Sequence, residues 1–419
     1  MTVASSGNGD QGENRVAAVA VEVLAVGRRS WGSSWDPSRQ VVAPGRIELL
    51  GNHLDYNGGR VLAAAIDRYI VLLGGAGSDE NRIAVAYADP TSAEHFGDVL
   101  DIASLAGWQR GLPPESPTDY VRGAIAALLG GGKSIQSSFQ IAFGGNLPIG
   151  LGVSSSAALS VGLVMMLSRE PLTPKETILL AQAAENRAGV GSGTMDQAAS
   201  VAGGVIRYDA AAIAFEQLDP DLGDLAFVVI SSGVVHRLGE SAYPTRVREM
   251  AELLKVAKRE LGDAAPEHVA ELSAEQITTL SESGTLDHTL QARSAHILTE
   301  VERVDQGYDA LKAGDWVRFG DLMTASGRSS ATDYDISHPQ VEELVADVLR
   351  ATGVLGARMM GGGGGGSVLV LVQRREVQHL SDRMDASYFD RYGLTDHVDR
   401  ILVCTFSVGA RIESLVAPA

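Results

Sequence analysis

Two carboxylates, Glu185 and Asp196, stand eleven residues apart in AENRAGVGSGTMDQ (184–197), separated by a glycine-rich segment. A divalent metal that carries nucleotide phosphates wants hard oxygen ligands, and Mg²⁺ takes one or two carboxylates. Phosphoryl transfer to an alcohol also wants a group that orients or deprotonates the hydroxyl. One carboxylate for each task is a coherent division of labour. By spacing alone, two solvated surface acids fit equally well.

A second stretch sharpens that reading. In NLPIGLGVSSSAAL (146–159), Gly150 and Gly152 deliver Ser154, Ser155 and Ser156 to the start of an apolar, helix-like run. Backbone N–H groups at a helix N-terminus suit phosphate oxygens, and glycine permits close backbone approach. One serine would suffice to cap a helix, so three after two glycines point to phosphate binding. Earlier, GRIELLGNHLDYNGG (45–59) breaks from an apolar run into Asn52, His53, Asp55 and Asn57, more polar turn-formers than a surface turn requires. Six consecutive glycines in GARMMGGGGGGS (356–367) cost roughly 0.5–1 kcal/mol of backbone order each relative to alanine. Between Met359–Met360 and an apolar strand, such a run must wrap a ligand or another loop closely.

Two look-alikes drop out. LGGGKS (129–134) resembles a phosphate-binding Walker loop, but Ala127 holds the first glycine position, and the order is helix–loop–strand rather than strand–loop–helix. GLGVSS has Ser155 where a dinucleotide fingerprint needs its third glycine, and no acidic residue follows at the right distance.

Bulk properties narrow the partners. The 419-residue chain is 45% hydrophobic with a net charge of −18, so a phosphate backbone is repelled and nucleic acid is excluded as a partner. An anionic substrate must be held by a local site. No apolar run approaches the ~20 residues that span a bilayer. The single cysteine, Cys404, lies in the apolar ILVCTF and reads as a buried strand thiol in a reducing, cytoplasmic setting.

The elements that must position these groups alternate between strand-like and helix-like without a fixed repeat. FQIAFG (139–144) reads as a strand and SSSAALSVGLVMML as a helix. Thr173, Pro174 and Glu176 form a capping-box start for the next helix. LAFVVISS (225–232), SVLVLVQ (367–373) and ILVCTFSV (401–408) read as buried strands, and Arg246 to about Leu349 as long polar-faced helices. The length suits two domains: a disordered tail at 1–14, a first domain at 15–207 and a second at 208–419.

Together, APGRIELLGNHLDYNGG, LPIGLGVSSSAAL, GARMMGGGGGGS and MDQ (195–197) resemble the signatures of the GHMP small-molecule kinases and, within them, the galactokinases. DYVRG (119–123), SAYPTRVRE (241–249) and DYDIS (333–337) add to the match, which runs from about Val42 to the C-terminus. The resemblance implies a two-domain α+β fold, with ATP, Mg²⁺ and a small-molecule sugar meeting between the domains of a monomer or weak homo-oligomer. It implies Asp196 as base for the sugar C1 hydroxyl, and Arg46 beside that base and the transferring phosphate. Ser156 and Glu185 become magnesium ligands, Gly150, Gly152 and Ser154–Ser156 the ATP loop, and His53, Asp55 and Tyr243 hydroxyl-binding residues.

Three departures stand out. Asn52 replaces a sugar-facing glutamate, Glu48 stands where asparagine is usual, and the Glu185–Asp196 segment is one residue shorter than is common. The resemblance places residue 52 at the sugar's C6 end, where a glutamate would repel a carboxylate by about 1–4 kcal/mol. Asn52 lifts that penalty. Galactose is the first substrate expected; galacturonate, a 6-deoxy sugar or a pentose is the alternative. A non-catalytic sugar sensor is the remaining one, although such proteins tend to lose part of the catalytic set that Arg46, Ser154–Ser156 and Asp196 retain here.

Overall fold

The computed structural model describes residues 8–88, 95–148, 150–234, 242–394 and 400–415. Helix α1 (Asn8–Trp31) precedes strands β1 (Arg39–Leu50), β2 (Arg60–Ala76), β3 (Arg82–Ala88) and β4 (His95–Asp101). Helix α2 (Pro117–Gly130), strand β5 (Phe139–Gly145) and helices α3 (Ser155–Leu167), α4 (Pro174–Ala188) and α5 (Met195–Ala202) follow. Strands β6 (Val205–Asp209) and β7 (Ala214–Leu218) complete this lobe. Its eight-stranded sheet runs β12-β1-β2-β5-β3-β4, with β6 against the first half of β2 and β7 against β6; β12 (Arg411–Ser414) is the last strand among the described residues.

The second lobe begins at β8 (Leu225–Ser231). Helices α6 (Tyr243–Leu261), α7 (Ala274–Glu282), α8 (His288–Ala313), α9 (Trp316–Thr332) and α10 (Pro339–Leu349) lead to β9 (Val354–Met360) and β10 (Ser367–Gln373). After α11 (Val377–Met384), β11 (Ile401–Cys404) closes an antiparallel sheet of order β11-β8-β10-β9.

Burial explains the apolar strands. Eleven of the twelve residues of β1 are buried, because α1 covers one face of the sheet and α3 and α5 the other. Val42, Val71 and Leu73 turn toward α1, while Val41, Ala43 and Leu72 turn toward the helices behind. Thr173 and Glu176 do form the expected capping box of α4. Lys133, the decoy lysine, pairs instead with Glu176, outside any phosphate loop. Cys404 is buried, which pushes its thiol up to about 12.

Two expectations need correction. Residues 8–14, read as tail, belong to α1, whose inner face buries Val16, Val19 and Val23 against the sheet; residues 1–7 lie outside the described residues. The boundary near 208 falls inside β6. The first sheet continues through the largely exposed β7, whose AFEQL is held by its ladder to β6 rather than by apolar burial, and it regains the last described strand, β12.

Candidate active site

Arg46 follows an irregularity in the β1–β2 pairing, between Pro44 and Arg46, and its guanidinium is almost wholly buried. Asp196 lies in the first turn of α5. Arg46 Nε donates to Asp196 Oδ1 at 2.7 Å, and its Nη1 donates to the Gly152 carbonyl at 2.7 Å. The other carboxylate oxygen, Oδ2, accepts from Ser154 Oγ at 2.6 Å. Burial opposes the Arg46 charge, but Asp196, Glu48 and Asp55 outweigh it and hold the guanidinium firmly protonated. The Asp196 side chain is 25% exposed and Ser154 is half-buried, so both remain open to solvent while Arg46 is enclosed.

The serine loop ends against this pair. Gly150 and Gly152 have left-handed φ values of 84° and 67°. Ser154 sits just ahead of α3 with φ 60° and makes no side-chain cap to the helix. Its hydroxyl goes to Asp196 instead, which leaves first-turn N–H donors of α3 for an anion. Ser155 opens the helix. Ser156, one residue on, hydrogen-bonds Glu185, which also accepts from the Gln197 amide and from Ser192 Oγ at 3.5 Å. Burial and then the Asp196 charge raise Glu185 to about 7 against those hydrogen bonds.

A carboxylate so buried, beside a hydroxyl and an unpartnered Gln197 Oε1, has the hard-oxygen character that magnesium prefers. Among the described residues no cluster of three or more His, Cys, Asp or Glu forms a metal cage.

Beside the turn that leads into Asp196, the loop after β1 carries His53 and Asp55. His53 adopts a left-handed φ of 62°, and its ring lies 5.0–5.6 Å from the rings of Tyr56, Tyr243 and Tyr334. His53 Nδ1 and Tyr56 Oη are 2.9 Å apart, and Tyr56 Oη lies 2.8 Å from Tyr334 Oη. Burial, then the charges of His296, Arg246 and Arg358, lowers His53 to about 3, so the imidazole is neutral. Asp55 moves the opposite way. Burial, followed by Asp196 and Glu48, raises it to about 7 despite backbone N–H bonds from Tyr56 and Met195. Gly193 is a glycine for space: a Cβ there would lie 1.6 Å from Asp55 Oδ2. The same Gly193 N–H bonds the Tyr243 hydroxyl. Ser241, two residues before Tyr243, lies outside the described residues.

Asn52 departs from its expected place. Its amide is buried, with Nδ2 donating to Glu48 Oε1 at 3.2 Å and to the Gly361 carbonyl at 3.2 Å, while Oδ1 accepts from Ser330 Oγ at 2.9 Å. Every polar end is spent inside the protein, as a buried amide requires. Glu48 in turn pairs with the fully buried Arg358 at 2.7 Å. The departures at positions 48 and 52 are therefore one feature: an amide and a carboxylate facing each other across a hydrogen bond.

The glycine run wraps protein, not solvent. Gly364 N donates to Ile336 O at 2.7 Å, Gly366 N donates to Val234 O at 3.1 Å, and Ser232 Oγ donates to Gly366 O at 2.6 Å. Five of its six residues have φ between 79° and 152°, and a Cβ on Gly363 would lie 2.4 Å from the Ile336 carbonyl.

With this geometry in place, likeness to known proteins is decisive. Residues 28–76 match the galactokinase galactose-binding signature, 119–204 the GHMP kinases N terminal domain and 308–390 the GHMP kinases C terminal region. The galactokinase of Staphylococcus carnosus is 30% identical over 376 residues, 87% of this chain and 93% of that one. The galactokinase of Thermotoga maritima is 33% identical over 362 residues, 85% of this chain and 95% of its own. The chain belongs to the galactokinase family of GHMP kinases. The crystal structure of Lactococcus lactis galactokinase complexed with galactose superposes with a TM-score of 0.83 at 26% identity, covering 94% of this chain and 99% of that one. Methanococcus jannaschii mevalonate kinase, at 18% identity and a TM-score of 0.59, shares the fold alone.

The family is one of ATP-dependent kinases with the mixed helix-and-sheet, two-domain GHMP architecture seen here. The three matched segments carry the β1 loop, the serine loop with Glu185 and Asp196, and the glycine run. Sequence reading left out the partners that hold these groups. Tyr120, hydrogen-bonded to Ser156, sits within DYVRG and was legible only as part of a motif. Tyr334 sits likewise within DYDIS. Among the described residues no helix is long and apolar enough to cross a membrane.

Proposed function

We propose that this chain transfers the γ-phosphoryl group of ATP to the anomeric hydroxyl of galactose or a close relative. The carrying observation is the hydrogen-bonded trio Arg46–Asp196–Ser154, placed at the N-terminus of α3 and flanked by His53 and Asp55. Asp196 accepts the proton of the C1 hydroxyl as its oxygen bonds to the γ-phosphorus and the bond to the β-phosphate oxygen breaks, releasing ADP. Arg46 holds Asp196 in place and sets a buried positive charge beside the transferring group. The N–H groups of α3 and the hydroxyl of Ser155 receive phosphate oxygens. Ser156 and Glu185 would hold Mg²⁺, which when bound neutralises phosphate charge. Neutral His53, Asp55 and Tyr243 take sugar hydroxyls; Asn52 supports the loop from behind.

One observation keeps a second sugar in view. The carboxylate at position 48 is neutralised by Arg358, and position 52 is an uncharged amide, so this wall offers no bare negative charge against a sugar acid. A coupled ADP-release assay over aldoses, 6-deoxy sugars and uronic acids decides between them. Turnover with galactose is expected. Turnover with none, despite ATP and sugar binding, would identify a sensor and overturn the kinase reading.

A further inference from the structure

The loop that bears His53 is gripped from behind by the second lobe. Glu300, in the middle of α8, is fully buried, and its Oε1 accepts the backbone N–H of Gly51 at 2.9 Å and of Asn52 at 3.1 Å, together with Ser326 Oγ at 2.7 Å. Its Oε2 accepts from Arg303 Nε at 2.6 Å. One helical turn earlier, His296 Nε2 lies 3.2 Å from the Asn52 carbonyl, an acceptor only, so this nitrogen is the donor. Both peptide groups of Asn52 are thus claimed by one face of α8, from positions four apart. The residues on either side are the ones that need holding: Gly51 has φ 104° and His53 φ 62°, and the latter is a conformation that side-chain-bearing residues seldom adopt.

We propose that Glu300 and His296 are positioning residues, which hold the backbone around Asn52 so that left-handed His53 and the following Asp55 meet the sugar. The inference rests on the sugar-kinase reading above. Neither residue needs to touch substrate. The charge of Glu300 matters because three donors converge on one oxygen while Arg303 occupies the other. A glutamine can keep the first set only by turning its NH₂ toward Arg303, donor against donor. A role in folding alone would weaken both substrates' sites in step with stability. Positioning of this loop predicts a one-sided effect, because the ATP loop hangs on α3 and α5, to which α8 makes no hydrogen bond among the described residues.

The test is steady-state kinetics of full-length Glu300→Gln and His296→Gln, with KM for sugar and for ATP measured separately and the melting temperature recorded. Sugar KM is expected to rise at least tenfold in Glu300→Gln and several-fold in His296→Gln, with ATP KM within twofold of wild type. Formate added to Glu300→Ala is expected to lower its sugar KM again, by restoring a carboxylate to the vacated space. An unchanged sugar KM, or sugar and ATP KM rising together, overturns positioning while leaving the kinase reading intact. Wild-type protein that neither binds nor phosphorylates any sugar overturns both.

Discussion

The phosphate side of the cleft and its sugar side are built differently. Arg46, Gly152, Ser154, Ser156, Glu185 and Asp196 all belong to the first lobe, and their contacts join neighbouring strand and helix ends. The loop from Gly51 to Asn57 also belongs to the first lobe, but beside its first-lobe partners Glu48 and Met195 it draws supports from the second: Glu300, His296, Ser330, Tyr334 and the Gly361 carbonyl. A phosphoryl group can be received by a preformed helix terminus. A sugar needs several hydroxyls matched at once, and the residues proposed to match them sit on a loop that both lobes hold. Perturbing the Arg46–Asp196–Ser154 trio should therefore act on chemistry, and perturbing the supports and contacts of the Gly51–Asn57 loop on sugar affinity.

The largest effect tests the chemical side. Asp196→Ala is expected to lower kcat by at least 10³-fold, in line with the ~10²–10⁴ of general base catalysis and the lost partner of Arg46, while nucleotide affinity changes little. Near-normal turnover would remove Asp196 from its role. Next comes the exchanged pair. Asn52→Glu alone would set a second buried carboxylate against Glu48 and cost about 3–5 kcal/mol in a denaturant titration. Adding Glu48→Asn should recover most of that loss. If the double variant is no more stable than the single one, positions 48 and 52 are not coupled.

A smaller effect separates the two sides further. Gly193→Ala drives a methyl group into the Asp55 carboxylate. It should raise sugar KM by about 10–100-fold, equivalent to about 1.4–2.7 kcal/mol, with ATP KM nearly unchanged. Equal losses for both substrates would show that the Asp55 contact does not belong to the sugar side alone.

The smallest effect is that of pH. Asp55 is raised from 3.8 to about 7, so folding disfavours its ionised form, and this cost accumulates as pH rises from about 4 through about 7. Sugar hydroxyls donating to the ionised carboxylate reverse part of that cost. Calorimetric sugar affinity should therefore strengthen several-fold from pH 6 to pH 8, and Asp55→Asn should be flat across that range. His53, held at about 3, contributes nothing there. A dependence that survives in Asp55→Asn would shift the titration to another group.

The same contrast explains what could be read from residue order. The serine loop, the capping box of α4, and the strands β5, β8 and β10 follow from local rules: glycine at turns, hydroxyls before a helix, apolar runs where both faces are covered. The glycine–serine loop before a helix points to phosphate binding by the same rules, and the motifs in their order name the family, whereas the two acids by spacing alone fit surface charges equally well. Asn52 shows the limit. Its type and place in a known signature pointed at the sugar, but its amide is consumed by Glu48, Ser330 and Gly361, two of which lie more than 270 residues away. No periodicity records such contacts.

What residue order determined alone was the inventory: two carboxylates, a run of serines, an arginine ahead of a polar loop, and flexible backbone at the turns. Tertiary structure decided which of these face the cleft and which hold it in place. The physical reason is that a polar group buried on folding must find its partners wherever the packed chain supplies them. For Glu48, Asn52 and the backbone that presents His53, those partners are Arg358, Ser330 and the acid–imidazole pair of α8.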